Sequence, residues 1–301
     1  MEAIVFEQFG GPEVLRSREI DAPHAGPGQV RIKVLAAGVN PMDYKIRRGW
    51  FEAMMPTTFP AVPGLEVAGV VDEAGEGAEF AVGDEVVGWA TTGGYAQHAV
   101  LGNAVRKPAG VSWEQAVAVP VAGETSQRVL DALGVKSGET LLLHGAAGAV
   151  GAVAVQLAVA AGVTVIGTAS EANHAYLRSL GATPVLYGEG LVERVRAVAP
   201  VVDAVFDAAG QGGLKESIEL RGGTDRIITI ADMGAGELGV EVSFGGTEPE
   251  VVKGWLSEQL QLAADGKLTV RIAETFPLAE AAKAQEISES GHAKGKLVLV
   301  P

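Results

Sequence analysis

Residues 140–162, TLLLHGAAGAVGAVAVQLAVAAG, run from an apolar stretch ending at His144 into a helix-length series of small residues through Gly145, Gly148 and Gly151. The spacing G-x-x-G-x-x-G is a variant of the G-x-G-x-x-G dinucleotide fingerprint. The chain must turn sharply there from strand to helix. A bare backbone then lets a pyrophosphate approach the helix N-terminus, where unpaired amides and the macrodipole stabilise negative charge. A small residue at the third glycine lets helix and strand pack closely. Gly145, Ala146, Gly148, Ala149, Val150 and Gly151 are the candidate pyrophosphate contacts. A tight turn that holds no ligand is the plainer alternative. The strand before, the helix after and a second strand about twenty residues on favour the ligand.

That second strand, TVIGTAS at 164–170, bears on the choice of nucleotide. NAD-selective sites carry Asp or Glu at this strand end, accepting hydrogen bonds from the ribose 2′-hydroxyl. Here the end reads Gly167-Thr168-Ala169-Ser170, with no acid at the tip. A 2′-phosphate is therefore accommodated. Ser170 and Asn173 can donate to it, and His174 and Arg178 can add charge unless they line a solvated helix face. Glu171 argues for NADH if it points inward. It is neutral evidence if it sits in the first turn of the next helix, where the dipole stabilises an acid. The expected cofactor is NADP, as NADPH.

Outward from this turn, strands are expected at 140–144, 164–168, 184–186, 204–207 and 226–230, and helices at 125–134, 149–161, 171–180, 189–198 and 212–220. This alternation predicts a doubly wound parallel sheet covered by helices. Ala208 and Ile230 lie just past two of the strand ends, where ligands collect in such sheets. Before residue 112 the texture is β-rich. Residues 30–36 and 66–75 partly alternate, and turn signals recur at Gly10-Gly11, Gly26-Pro27-Gly28 and Gly93-Gly94. Ser112 is a natural N-cap for a helix beginning at Trp113. A helix is expected over 249–265, and the tail then reads strand, helix, strand, returning to the β domain.

Bulk composition excludes several classes. Thirty-seven acids against 23 bases give a net charge of −14, which opposes binding to a nucleic-acid backbone. There is no cysteine, hence no disulfide and no thiolate–zinc site. MEAIVFEQFGGPEVL lacks the basic-then-apolar pattern of a secretory leader, and the most apolar stretch, 141–169, is broken by glycines, so no membrane span is expected. A cytoplasmic location fits these features.

Several further segments, in order, match a known pattern: FEQFGGPEVL (6–15), AAGVNPMDYKIRRG (36–49), PAVPGLEVAGVV (60–71), VGDEVVG (82–88), VPVAGETS (119–126), FDAAG (206–210) and GKLVLV (295–300). With the glycine turn, the chain resembles the medium-chain dehydrogenase/reductase superfamily, in its zinc-independent quinone oxidoreductase and enone reductase branch. The resemblance implies an α/β fold in which a Rossmann domain (118–246) is inserted into a GroES-like, mostly-β substrate domain (1–117 with 247–301). It also implies a homodimer and hydride transfer from NADPH to a small hydrophobic quinone or α,β-unsaturated carbonyl substrate. Zinc-dependent relatives carry Cys and His where this chain has Asn40 and Pro41, and a GHE motif where it has Gly64-Leu65-Glu66. Neither Asn40 nor Leu65 serves as the usual zinc ligand, so no metal is expected.

Hydride transfer leaves negative charge on the substrate oxygen, which a positioned donor or cation stabilises. The candidates are Tyr44 and Lys45, with Asn40 resembling the family residue near the nicotinamide ribose. Thr125 resembles a family threonine at the nicotinamide end, with Ser126 where relatives have alanine. Lys296 resembles a family lysine near the cofactor, or is an ordinary strand-end lysine. Asp43, His98 and His292 read as structural. Trp50, Phe51, Met54, Met55 and Phe59 line a pocket or, residue by residue, belong to the core. Two other functions remain open: a nucleotide-binding sensor or structural protein with little turnover, and a zinc-free alcohol dehydrogenase.

Overall fold

The computed structural model describes residues 1–291 and 293–301, and His292 lies outside them. The chain forms two units, Met1–Val121 with Pro249–Pro301, and Ala122–Glu248. Both boundaries fall a few residues beyond those drawn from the sequence.

Unit 1 begins with β1 (Glu2–Val5), β2 (Arg16–Glu19), β3 (Val30–Val39), α1 (Pro41–Arg47), β4 (Glu66–Ala74), β5 (Glu85–Ala90), β6 (His98–Arg106) and α2 (Trp113–Val117). Ser112 caps α2 as expected, its hydroxyl accepting from the Gln115 amide at 3.2 Å. Helix α3 (Pro120–Leu133) carries the chain onward. It starts five residues before the expected 125. Pro120 suits a first helical turn, since its missing N–H would be unpaired anyway, and the Glu66 carboxylate accepts from the Val121 amide at 2.7 Å. A cap supplied by a residue 55 positions away is invisible to local reading.

Unit 2 continues with β7 (Thr140–His144), α4 (Ala149–Ala160), β8 (Thr164–Thr168), α5 (His174–Ser179), β9 (Thr183–Val185), α6 (Leu191–Val198), β10 (Ala204–Asp207), α7 (Leu214–Arg221), β11 (Ile227–Thr229) and β12 (Glu241–Val242). Its strands lie in the order β12–β11–β10–β7–β8–β9, all parallel. The order reverses on either side of β7 and β10, which is the switch point of a doubly wound sheet. Leu141 and Leu143 enter one apolar core with Phe206 and Ile228, while Leu142 enters the other with Ile166, Val205 and Ile227. Apolar residues at every position, burying alternate faces, are what a strand covered on both sides requires. The helix expected over 171–180 is instead a 3-10 turn, Glu171–Asn173, followed by α5. The Asn173 amide donates to Ser170, from backbone to carbonyl at 2.9 Å and from side chain to hydroxyl at 3.2 Å, and this tightens the first turn.

The chain returns to unit 1 with α8 (Pro249–Ala264), β13 (Ile272–Pro277), α9 (Ala281–Glu289) and β14 (Lys296–Val300). The sheet order is β13–β14–β3–β4–β5–β6, and a further β3–β6 pairing closes it into a barrel. Leu297 and Leu299 face the barrel interior with Ile32 and Val34, whereas Val298 faces outward against Leu256 and Leu260 of α8.

Candidate functional site

The three glycines of the turn differ in what they make possible. Gly145 has φ +70°, a left-handed conformation that a Cβ disfavours. A Cβ on Gly151 would lie 2.3 Å from the Gly145 carbonyl oxygen and 2.7 Å from the Ala146 Cα, so α4 touches the turn only because that atom is missing. Gly148 is different. Its φ is −73°, and a Cβ there would meet nothing closer than the Gly145 oxygen at 3.4 Å. Nothing in the protein's own packing demands a glycine at 148, which leaves open backbone at the mouth of α4. Gly148 is the N-cap and offers no side chain, so the amides of Ala149, Val150 and Gly151 lack a carbonyl one turn back. The Ser126 hydroxyl of α3 lies 2.8 Å from the Val150 carbonyl and 2.7 Å from that of Ala122, fixing the first turn of α4. Thr125 sits beside it on α3, its hydroxyl donating to Glu124 at 3.3 Å.

At the tip of β8, Thr168 is buried, with its carbonyl accepting from the Ala146 amide at 3.2 Å. Ser170, Asn173 and His174 are half-buried around the tip, and Arg178 is exposed. The His174 Nε2 lies 3.3 Å from the Ala169 carbonyl oxygen. Glu171 is exposed in the first turn after Ser170, which removes it as an argument for NADH.

Two strand ends beyond the switch point are fastened together by one carboxylate. Asp207, at the end of β10, accepts on Oδ1 from the amides of Ala209 and Gly210 at 3.0 Å each, and on Oδ2 from the Thr229 hydroxyl at 2.8 Å. Thr229 Oγ1 in turn accepts from the amides of Ala231 and Asp232 at 3.1 Å each. The loops bearing Ala208 and Ile230 are thereby shaped from beneath. Nearby, His144 is buried between Ser217, 2.8 Å from Nε2, and Thr168, 3.3 Å from Nδ1. Burial pulls its pKa below the usual histidine value, against the charges of Asp207 and Glu216.

Unit 1 gathers a buried ionic cluster. Asn40 Nδ2 donates to Glu66 Oε1 at 2.8 Å, and Asn40 Oδ1 accepts from Lys296 Nζ at 2.7 Å. Lys296 also donates to Glu66 Oε1. Lys296 is 2 % exposed, so it is not a surface lysine: it is the counter-charge of Glu66 and the clamp on Asn40. Asp43 is structural, as expected, tied to local backbone and a tyrosine rather than to an arginine. Its Oδ2 accepts from the Asn40 amide at 2.9 Å and the Tyr95 hydroxyl at 2.8 Å. Burial pushes its carboxyl up to about 7, although those donors and the Lys296 charge pull the other way.

Tyr44 and Lys45, which follow Asp43 on α1, are half-buried. Burial and the Glu289 charge hold the Tyr44 phenol above its ordinary value, and burial holds the Lys45 ammonium below its own. The chain turns back after α1. The Trp50 amide donates to the Lys45 carbonyl at 3.0 Å, and the Tyr44 and Trp50 rings meet edge to face at 6.0 Å. Trp50, Met54, Met55 and Phe59 are exposed, against the residue-by-residue expectation of core, and Phe51 alone of this stretch is buried.

The structure thus brings Asn40 and Lys296 together, and separately joins the glycine turn to Thr168, Ala208 and Ile230. Sequence reading missed Glu66, Tyr95, Asp207 and Thr229 as organisers. PGLEVAG and FDAAG had pointed to two of them, but only as matching segments.

Comparisons with known proteins agree with this layout. Residues 26–123 match the alcohol dehydrogenase GroES-like domain, and residues 180–299 match a family described as zinc-binding dehydrogenase. A quinone oxidoreductase of Pseudomonas aeruginosa is 32% identical, covering 99% of both chains. A human quinone oxidoreductase is 31% identical over 100% of this chain and 98% of its own. The solved structure of Escherichia coli quinone oxidoreductase complexed with NADPH superposes with a TM-score of 0.90 at 28% identity, covering 100% of each chain. With such identity running from end to end, the chain belongs to the medium-chain dehydrogenase/reductase superfamily, in its quinone oxidoreductase branch.

Proposed function

We propose that this protein is an NADPH-dependent oxidoreductase that reduces a quinone or an α,β-unsaturated carbonyl compound without zinc. The observation that carries the reading is Gly148: a bare position at a helix N-terminus that internal packing does not require. The residues present fit the nucleotide. Gly145, Ala146, Gly148, Ala149, Val150 and Gly151 would hold the pyrophosphate through backbone amides. Ser170, Asn173 and His174 would take the 2′-phosphate, with Thr168 buried beneath them. Ala208, Ile230 and Thr125 would border the nicotinamide half. The relative solved with NADPH supports the same choice.

When bound, NADPH supplies a hydride. The protein's contribution is orientation and charge. Asn40 is held in one orientation by its two partners, so its amide is ready for a ribose or nicotinamide group without reorganisation. Either the Tyr44 hydroxyl or the Lys45 ammonium stabilises the substrate oxygen as negative charge develops there. Zinc independence is supported by the donor set. The chain has no thiolate, and the ground between Asn40 and Glu66 already holds one positive charge, that of Lys296.

A homodimer joined through unit 2 is the proposed assembly, with β12 at the sheet edge and Phe244 and Leu238 exposed beside it. No helix among the described residues is long and apolar enough to cross a membrane, in keeping with a proposed cytoplasmic location.

The test is NADPH oxidation by phenanthrenequinone and by a small enone, before and after dialysis against a metal chelator. Turnover unaffected by the chelator is expected. Tight NADPH binding with no acceptor reduced would turn the reading toward a nucleotide sensor.

A further inference from the structure

In a chain this acidic, basic side chains find partners easily. Lys107, Lys253, Lys267, Lys283 and Lys296 each reach a glutamate or aspartate. Among the described residues the lysines without an acidic partner are exposed, with one exception. Lys45 is half-buried and makes no ion pair or side-chain hydrogen bond among those residues. A partly desolvated ammonium with no counter-ion is a cost to folding, and one that 37 acids could have relieved.

The segment that follows Lys45 carries exposed apolar side chains. Trp50, Met54 and Met55 are 64, 59 and 46 % exposed on the turn that bends back over the end of α1. The Trp50 amide bonded to the Lys45 carbonyl ties that turn to the lysine's own backbone. Three large exposed apolar side chains and one unpaired cation thus lie on a single short segment, with one acid, Glu52, whose carboxylate is turned to the Thr57 amide at 3.0 Å.

We propose that Lys45 and the Trp50–Met55 turn bind an acceptor that is flat, apolar and permanently anionic, of the class of aryl carbonyl compounds bearing a carboxylate. This rests on the reductase reading above and adds the charge of its substrate. The carboxylate supplies the counter-ion that the protein withholds from Lys45, and the aryl face covers Trp50 and the methionines. The Tyr44 hydroxyl stays available for the carbonyl oxygen of the enone, where negative charge develops while the C=C bond is reduced. In the overall reaction hydride adds to the β-carbon, the C=C electron pair moves toward the carbonyl oxygen, and a solvent proton ends on the α-carbon. NADPH leaves as NADP and the enone as a saturated ketone.

The probes are para-carboxybenzalacetone and its methyl ester, which share one enone and differ by one charge remote from the reacting bond. The wild-type protein should reduce the acid with a kcat/KM at least about tenfold above that of the ester, the scale of one charged hydrogen bond. Lys45→Met should abolish the ratio and Lys45→Arg should retain it. In the wild type, raising ionic strength should lower the ratio by weakening only the acid. Equal use of both probes by the wild type, or a preference that survives Lys45→Met, overturns the proposal while leaving the reductase reading intact. NADPH binding with neither probe reduced overturns the proposal, and phenanthrenequinone left unreduced as well overturns the reductase reading.

Discussion

Two alanine substitutions in the same turn should have opposite signatures. In Gly151→Ala the new methyl starts 2.3 Å from one backbone atom and 2.7 Å from another. Neither is the tip of a flexible side chain, so α4 must retreat from the turn by roughly an ångström, an overpacking strain worth ~1–3 kcal/mol. At ~2–4 °C per kcal/mol for a chain of this size, the melting temperature should fall by several degrees. In Gly148→Ala the methyl meets only the Gly145 oxygen, at 3.4 Å, and the backbone is already in a conformation any residue adopts. Folding stability should stay within about 1 kcal/mol, yet the methyl stands in the proposed path of the pyrophosphate. NADPH affinity should drop by ~10-fold or more, about 1.4 kcal/mol per decade. Differential scanning fluorimetry with and without NADPH, together with calorimetric titration, reads both effects. A Gly148→Ala variant that binds NADPH like the wild type would refute the pyrophosphate cradle. A Gly151→Ala variant that melts like the wild type would refute the packing argument.

Asp207→Ala leaves two loop amides and the Thr229 hydroxyl to rearrange. NADPH should bind more weakly while the affinity for 2′,5′-ADP, which lacks the nicotinamide half, stays within about twofold, since one buried network and not the whole sheet is disturbed; equal losses for both ligands would contradict this. Lys296→Met strands the Glu66 carboxylate in the interior and should cost ~3–5 kcal/mol in denaturant unfolding. His174→Ala should raise the KM for NADPH several-fold more than that for NADH, and equal changes would remove His174 from the 2′-phosphate site. The Asp43 carboxyl titrates near 7 in the folded protein against an ordinary 3.8. Between those values the unfolded chain releases a proton that the folded chain keeps. This group's contribution to stability is therefore present below about pH 4 and is lost as pH rises toward 7. The stability of Asp43→Asn relative to wild type should climb across that window and then level off.

Local chemistry explains what the sequence made legible. The glycine turn, the strand tip at Ser170 and the cap at Ser112 are each decided within a few residues, and each sits where it was expected. The Lys296 clamp was not legible, because its partners Asn40 and Glu66 lie 256 and 230 positions away. The early start of α3 depended on the same glutamate. The exposure of Trp50, Met54 and Met55 ran against composition, since apolar side chains are read as core unless something outside the chain has use for them. Asp207 was quoted within FDAAG, but its bond to Thr229 required knowing that β10 and β11 are neighbours.

The pairing of β14 with β3 sets an order of events at the ribosome. Ala37, Gly38 and Val39 face Leu299, Val298 and Leu297, partners synthesised only after every residue of unit 2 has been made. Unit 2 is contiguous and can condense while still tethered, whereas the barrel must wait, with Ala37, Gly38 and Val39 of β3 unpaired on one side, for a distant strand. Long-separation pairing of this kind is slow. The first half of the barrel is therefore made early and is the last to complete its strand pairing.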